Sequence, residues 1–276
     1  MALAVLSAVV IVPIFNVIYD SFFFRESSFG ETVVKFVGLE NYRFVFTDPY
    51  FWRFLKQNLI YTAGSVALSF VAGFICALLL NQIRGLKSLF RGAILLPWVI
   101  PPVVAALLWK WLLNDTFGLV NYMISPFTSP VNWLGEPASA MFSLIMVDAW
   151  TRIPLITIFI LAGLKSIPVH LYDAAKIDGA GPIGRFRYVT LPLLRPVIVT
   201  VLLIVSIFVF RTYVMIGGLT GGGPARYTET LISYIFKNTV EYRQIGFSSA
   251  LSVIVLVGIV VYAFVFLKLF YRRWGE

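Results

Sequence analysis

Apolar residues in this chain come in long unbroken runs separated by shorter polar stretches, with no alternation at every second position. By length these runs predict spans at about 2–23, 56–82, 92–113, 140–164, 191–216 and 247–270. Continuous runs favour helices over a barrel, because each backbone polar group in lipid must be satisfied within its own segment. Pro97, Pro101, Pro102 and Pro154 fall inside the runs and predict kinked helices packed against neighbours. The expected fold is all-α, a polytopic bundle of about six transmembrane helices, with residues 1–276 forming one membrane domain.

Composition agrees with the pattern. Hydrophobic residues make up 59% of the chain, charged residues only 13%, and the mean hydropathy is +0.88, outside the range of soluble domains. The first run is too long for a signal-peptide core and lacks a persuasive small-residue cleavage site; it reads as a first span trimmed of a charged leader. A lone cysteine, Cys76, and a lone histidine, His170, argue against disulfide and metal chemistry. The chain also carries no nucleotide-binding loop.

The net charge of +9 is mainly a topology signal. Arg84, Lys87, Arg91, Lys165, Lys176, Arg185, Arg187, Arg195, Lys268, Arg272 and Arg273 collect on one side, opposed only by Asp173, Asp178 and Glu276. On the other side basic and acidic residues balance at nine each. The first side is therefore the cytoplasmic one, and nucleic-acid binding is not implied.

Between the fourth and fifth spans lies a polar, turn-punctuated insert at 166–190 on that cytoplasmic side. Ser166 is positioned to cap a helix beginning near Pro168, Gly179 and Gly181 to end it, and Pro182 to open a second short helix. The product is a helix–turn–helix knob. Ala174 and Ala175 give it a low profile that another protein's backbone can approach, and Asp173 offers a carboxylate to a partner's Arg or Lys. Within the spans three charged residues stand out: Asp148, Arg152 and Arg211. Asp148 and Arg152 are four apart on one helix face and can pair, with Thr151 close by. The alternative for the pair is simple self-neutralisation in the bundle, and for Arg211 a place at the outer headgroups.

Trp52, Trp109, Trp111 and Trp274 lie near span ends and are expected as interface anchors, with Trp98 and Trp150 as deeper candidates for cavity walls. The glycine run from Gly217 to Pro224 predicts a mobile lip, followed by an amphipathic segment from Leu231 to Val240 that can lie along the membrane surface.

The string Asp173-Ala-Ala-Lys-Ile-Asp-Gly-Ala180, with Phe186 and Leu191-Pro-Leu-Leu-Arg-Pro196 following at matching spacing, resembles the EAA motif of ABC importer permeases in its carbohydrate-uptake form. Phe36-Val-Gly-Leu-Glu-Asn-Tyr42, Leu95-Leu-Pro-Trp98 with Pro101 and Pro102, Asn132-Trp-Leu-Gly135 and Thr220-Gly-Gly-Gly-Pro224 are similar, in the same order, to segments of MalF/UgpA-type sugar permeases. One departure is that Asp173 stands where the family has Glu, which keeps the charge and shortens its reach by one methylene.

The resemblance implies a type I importer permease fold, MetI/MalF-like, in a bacterial or archaeal cytoplasmic (inner) membrane, with the knob and C-terminus in the cytoplasm. It implies that Tyr172, Asp173, Ala174, Ala175, Ile177, Asp178, Gly179 and Arg185 couple the chain to an ATPase. It implies a solute path at Asp148, Thr151, Arg152 and Thr212, with Arg211 and Tyr213 as neighbours: Tyr can stack on a sugar ring and Arg can donate paired hydrogen bonds to hydroxyls or an anion. It implies docking of an external solute-binding protein on the loops at 25–55, 114–139 and 217–246, including Gly221, Gly222, Gly223 and Pro224. Expected partners are a second, MalG-type permease, two ATP-binding subunits, that binding protein and membrane lipid, with no nucleic acid. ATP and Mg belong to the ATPases, so this chain is expected to bind no cofactor and catalyse no reaction. The solute reads as a sugar or sugar-like molecule, neutral or acidic. Two other classes remain: an ion-coupled secondary transporter, disfavoured by the lack of an internal repeat, and a membrane-embedded enzyme, disfavoured by the lack of a catalytic cluster.

Overall fold

In the computed structural model the described residues are 2–28, 31–83 and 87–271. Arg84, Arg272, Arg273, Trp274 and Glu276 lie outside them, as do the side chains of Lys87 and Arg91. Among the described residues, four helices are long and apolar enough to cross a membrane: α3 (Pro49–Gln82), α7 (Pro137–Ser166), α13 (Ile245–Tyr271) and α10 (Leu191–Phe210), the last continuous with a lead-in from Pro182. The bent pair α4 (Lys87–Val99) and α5 (Pro102–Leu112) gives a fifth if it is one span, and the short α6 (Leu119–Ile124) follows it. The first run forms α1 (Ala2–Asp20), 19 residues long.

The third predicted span is the main correction. Residues 92–113 do not form one rod: α4 and α5 meet at 99°. Pro101 and Pro102 are the physical cause. They remove consecutive amide donors, and Pro101 adopts ψ of 135°, the extended backbone that precedes a proline. Pro154 has no such effect, and α7 runs through it as a single 30-residue helix. The fifth predicted span also ends early, at Phe210, with Arg211 as its C-cap, before the short α11 (Val214–Leu219).

The described chain divides into two compact units, each assembled from segments far apart in sequence. In the unit of residues 1–59 and 229–265, a two-stranded antiparallel hairpin, β1 (Phe23–Ser28) and β2 (Glu31–Phe36), pairs Phe23 with Phe36 and Arg25 with Val34. Asn41, on the two-turn α2 (Glu40–Thr47), anchors the hairpin's base by donating to the carbonyls of Ser21 and Phe23, both at 2.9 Å. Both elements fall largely in the stretch at 25–55 that the sequence pattern presents as a docking loop. Asp48 caps α3: one carboxylate oxygen accepts from the Tyr50 amide at 2.9 Å, the other from the Tyr234 hydroxyl at 2.7 Å.

Tyr234 sits on α12 (Leu231–Phe236), which opens with a Thr230/Ser233 capping box and continues as a π-turn at Lys237–Glu241. Leu231 and Tyr234 are buried, Tyr234 edge-on against Phe54 and Phe247. In the segment 231–240, read from sequence as able to lie along the membrane surface, Leu231 and Tyr234 are thus spent on packing within this unit, while Phe236 and Val240 are exposed. Buried Glu229 pairs with Lys237.

In the unit of residues 60–228 and 266–276, α3, α7 and α10 come close wherever one of them has glycine. A Cβ on Gly73 would stand 2.8 Å from Ile156, and one on Gly163 2.8 Å from Leu194. This is how apolar helices gain van der Waals contact where lipid is as oily as they are. At the first crossing Thr157 donates to the Gly73 carbonyl at 3.2 Å.

Candidate functional site

The predicted knob forms. Its first helix is α8 (Val169–Ile177) and its second is α9 (Pro182–Arg185), which passes through a π-turn at Phe186–Thr190 into α10. Ser166 does not cap α8, since its hydroxyl donates back to the Gly163 carbonyl at 2.8 Å and Pro168 holds the cap position. The stop is as expected: Asp178 is the C-cap, Gly179 turns left-handed at φ +78°, and the Ala180 amide reaches the Ala175 carbonyl at 2.9 Å.

The knob's inner side is tied down. Half-buried Tyr172 shares a 3.0 Å hydrogen bond with the Thr190 hydroxyl, Phe186 meets Phe74 edge-on, and the Arg185 carbonyl accepts from Thr190. Its outer side presents Asp173, Ala174, Ile177, Asp178 and Gly179, with Ala175 half-buried. Val169 is 71% exposed, Ile177 87% and Ile183 82%. Lys176 donates to Asp173 at 2.8 Å and holds that carboxyl below the usual carboxylate range. Both side chains are exposed, so the pair adds little stability.

A second polar centre lies on α7. Asp148 is wholly buried, and one of its oxygens accepts from Arg152 at 3.2 Å, the pairing anticipated from their spacing. The same Arg152 Nη2 donates to the Thr212 hydroxyl, just past the end of α10, at 3.0 Å, so residues 60 positions apart form one chain. Thr212 in turn donates to the Phe208 carbonyl at 2.9 Å.

Two residues not identified from sequence join this centre. The hydroxyls of Tyr61 and Ser65 on α3 lie beside the Asp148 carboxylate, and neither finds a hydrogen bond of good geometry. Their signal was available as the four-residue spacing Tyr61, Ser65, Ser69 along an apolar helix. Removing either member of a buried ion pair costs about 3–5 kcal/mol, because the other is left without a counter-charge.

The remaining candidates separate. Thr151 spends its hydroxyl proton on the Asp148 carbonyl at 2.7 Å. Tyr213 is half-buried with its ring over Gly217, where a Cβ would stand 3.1 Å from it. Arg211 is exposed. Trp109 is no interface anchor, since it packs in the core edge-on against Trp150, ring centroids 5.6 Å apart. Trp98, proposed as a cavity wall, is exposed, as are Trp52 and Trp111.

The glycine run, read from sequence as a mobile lip, folds as a hydrogen-bonded turn. Thr228 Oγ1 donates to the Gly223 carbonyl and shares a hydrogen bond with Thr220 Oγ1, each at 2.7 Å, and the Gly221 amide donates to Ile216 O at 2.8 Å. Gly221 and Gly222 adopt φ of +64° and +90°, which side chains resist and glycine allows. Pro224 follows as a partly buried residue of the same closed turn.

A helical membrane protein with a polar ion-paired centre on its spans and an apolar-tipped knob between two of them has the architecture of a transport subunit. A family model described as the binding-protein-dependent transport system inner membrane component matches residues 69–275, and the chain belongs to that family: it is a multi-pass inner-membrane permease of an ATP-binding-cassette importer.

Among curated relatives, it is 38% identical over 234 residues to the trehalose/maltose permease protein MalF of Thermococcus litoralis, covering 84% of this chain and 79% of that one. It is 35% identical over 254 residues to the sulfoquinovosyl glycerol permease protein SmoG of Agrobacterium fabrum, covering 92% and 82%. The sn-glycerol-3-phosphate permease protein UgpA of Yersinia pestis is 32% identical over 238 residues, covering 85% and 81%. Among solved structures, a chain of a bacterial importer of the acidic polysaccharide alginate superposes with a TM-score of 0.85 at 21% identity, covering 100% of this chain and 94% of that one, a likeness of fold.

Proposed function

We propose that this permease moves a sugar or sugar-like solute from an external binding protein into the cytoplasm, paired with a second permease and driven through its knob by two separate ATP-binding subunits. The chain itself catalyses no reaction. The observation that carries the reading is the exposure of Val169, Ile177 and Ile183 on an otherwise polar protrusion. Several large apolar side chains exposed on one short protrusion fit a surface made for a protein contact, and a rigid element gripped from outside can bias a two-state bundle. Tyr172 and the Arg185 carbonyl both hydrogen-bond Thr190, the N-cap of α10, so that a push on α8 reaches the helix that ends at Phe210, just before Arg211 and Thr212.

Arg152 and Thr212 are the groups placed to meet a solute, with Asp148 behind them. Relatives of this chain carry trehalose or maltose, sulfoquinovosyl glycerol and glycerol phosphate in their names, which supports a carbohydrate-like cargo. The test is uptake into proteoliposomes holding the whole complex. Uptake is expected to need ATP inside and binding protein outside, and to survive a protonophore. Collapse of uptake on adding the protonophore with ATP held constant would instead identify an ion-coupled carrier.

A further inference from the structure

We propose that Asp148 cancels the charge of Arg152, so that the path accepts uncharged hydroxylated solutes and discriminates against anionic ones; this rests on the reading that Arg152 and Thr212 line that path. Asp148 is wholly buried and Arg152 is its one ion-pair partner among the described residues. An anionic solute could recruit Arg152 only by leaving Asp148 without a counter-charge inside the span, or by sitting as a second anion beside it. Both are penalised in a medium that screens poorly.

The geometry also limits what Arg152 can offer. Its Nη2 is already shared between Asp148 at 3.2 Å and Thr212 at 3.0 Å, and its Nε is buried. What remains for a solute is a fixed hydrogen-bond donor in a neutral pair, suited to a sugar hydroxyl. Tyr61 and Ser65 crowd the Asp148 carboxylate from α3, which keeps it facing protein. Arg211, one residue from Thr212, is the C-cap of α10, where helix carbonyls favour a cation for structural reasons.

Uptake by the reconstituted complex separates the possibilities. Asp148→Asn and Arg152→Gln each leave one buried charge alone and are expected to slow uptake of the complex's own solute by about tenfold or more, whereas the double variant, an uncharged amide pair, regains at least about fivefold over either single change. A double variant as slow as Arg152→Gln would mean that the solute uses the arginine's charge, and overturns the proposal.

A second measurement does not depend on the variants folding. Uptake by the unaltered complex is compared for a neutral sugar and its uronic acid counterpart, and preference for the neutral one is expected. Comparable or faster uptake of the uronate, lost in Arg211→Gln or Arg152→Gln, overturns the proposal. If Arg152→Gln and Thr212→Val leave uptake of both solutes untouched, the path itself lies elsewhere, and the proposal falls with the reading beneath it.

Discussion

Asp173 is the carboxylate that the proposed docking of the knob relies on, and Lys176 is its partner within the knob. Lys176 stabilises the ionised form, so its carboxyl titrates below the ordinary carboxylate range. With the folded value depressed, the pair's contribution is complete above the unfolded value and is lost as pH falls through the folded one. Coupled uptake is therefore expected to be flat from about pH 6 to 8 as far as this group is concerned. Lys176→Ala should move the acid limb of ATP-driven uptake upward; an unmoved limb would show that the pair plays no part in docking. The Asp148 and Arg152 pair was legible in sequence because a span tolerates charge only at a cost, and four-residue spacing names the partner. Tyr61 and Ser65 were not, since hydroxyls are cheap enough in a helix to pass as background.

Elements succeeded or failed according to how local their cause is. The knob was readable because glycine and proline act on their own backbone: Gly179 at φ +78° ends α8, and Pro182 starts α9. Gly179→Ala should cost about 1 kcal/mol, since an L residue resists the left-handed region, and should lower uptake per ATP hydrolysed. Gly181→Ala serves as the contrast, its φ of −67° being ordinary and its surroundings open. Equal effects of the two changes would contradict the backbone argument. The 99° bend between α4 and α5 was half legible: Pro101 and Pro102 announced a kink, but apolar length alone drew a straight span. The hairpin at 23–36 and the closed glycine turn were not read because what holds them is side-chain hydrogen bonding that apolar patterning does not register, from Asn41 to the hairpin's base and from Thr228 to the Gly223 carbonyl.

At the scale of the whole molecule, length, composition and charge sufficed for a mainly helical, multi-pass chain, and the order of motifs along it sufficed for the family. The assignment of work among subunits came from the chain's own chemistry: no nucleotide-binding loop in the sequence, a knob with three apolar side chains standing in water, and a charge-balanced centre on α7 reaching Thr212 beyond α10. The account depends on the knob being gripped by a separate ATP-hydrolysing subunit. The direct measurement is disulfide cross-linking of an Ile177→Cys variant, with Cys76 replaced by serine, to single cysteines on the ATPase in the assembled complex, read with and without ATP. The account predicts a cross-link at position 177 whose yield changes with nucleotide, and block of uptake once it forms. A residue 177 that reaches no ATPase cysteine in either state, in a complex that still imports solute, would contradict it.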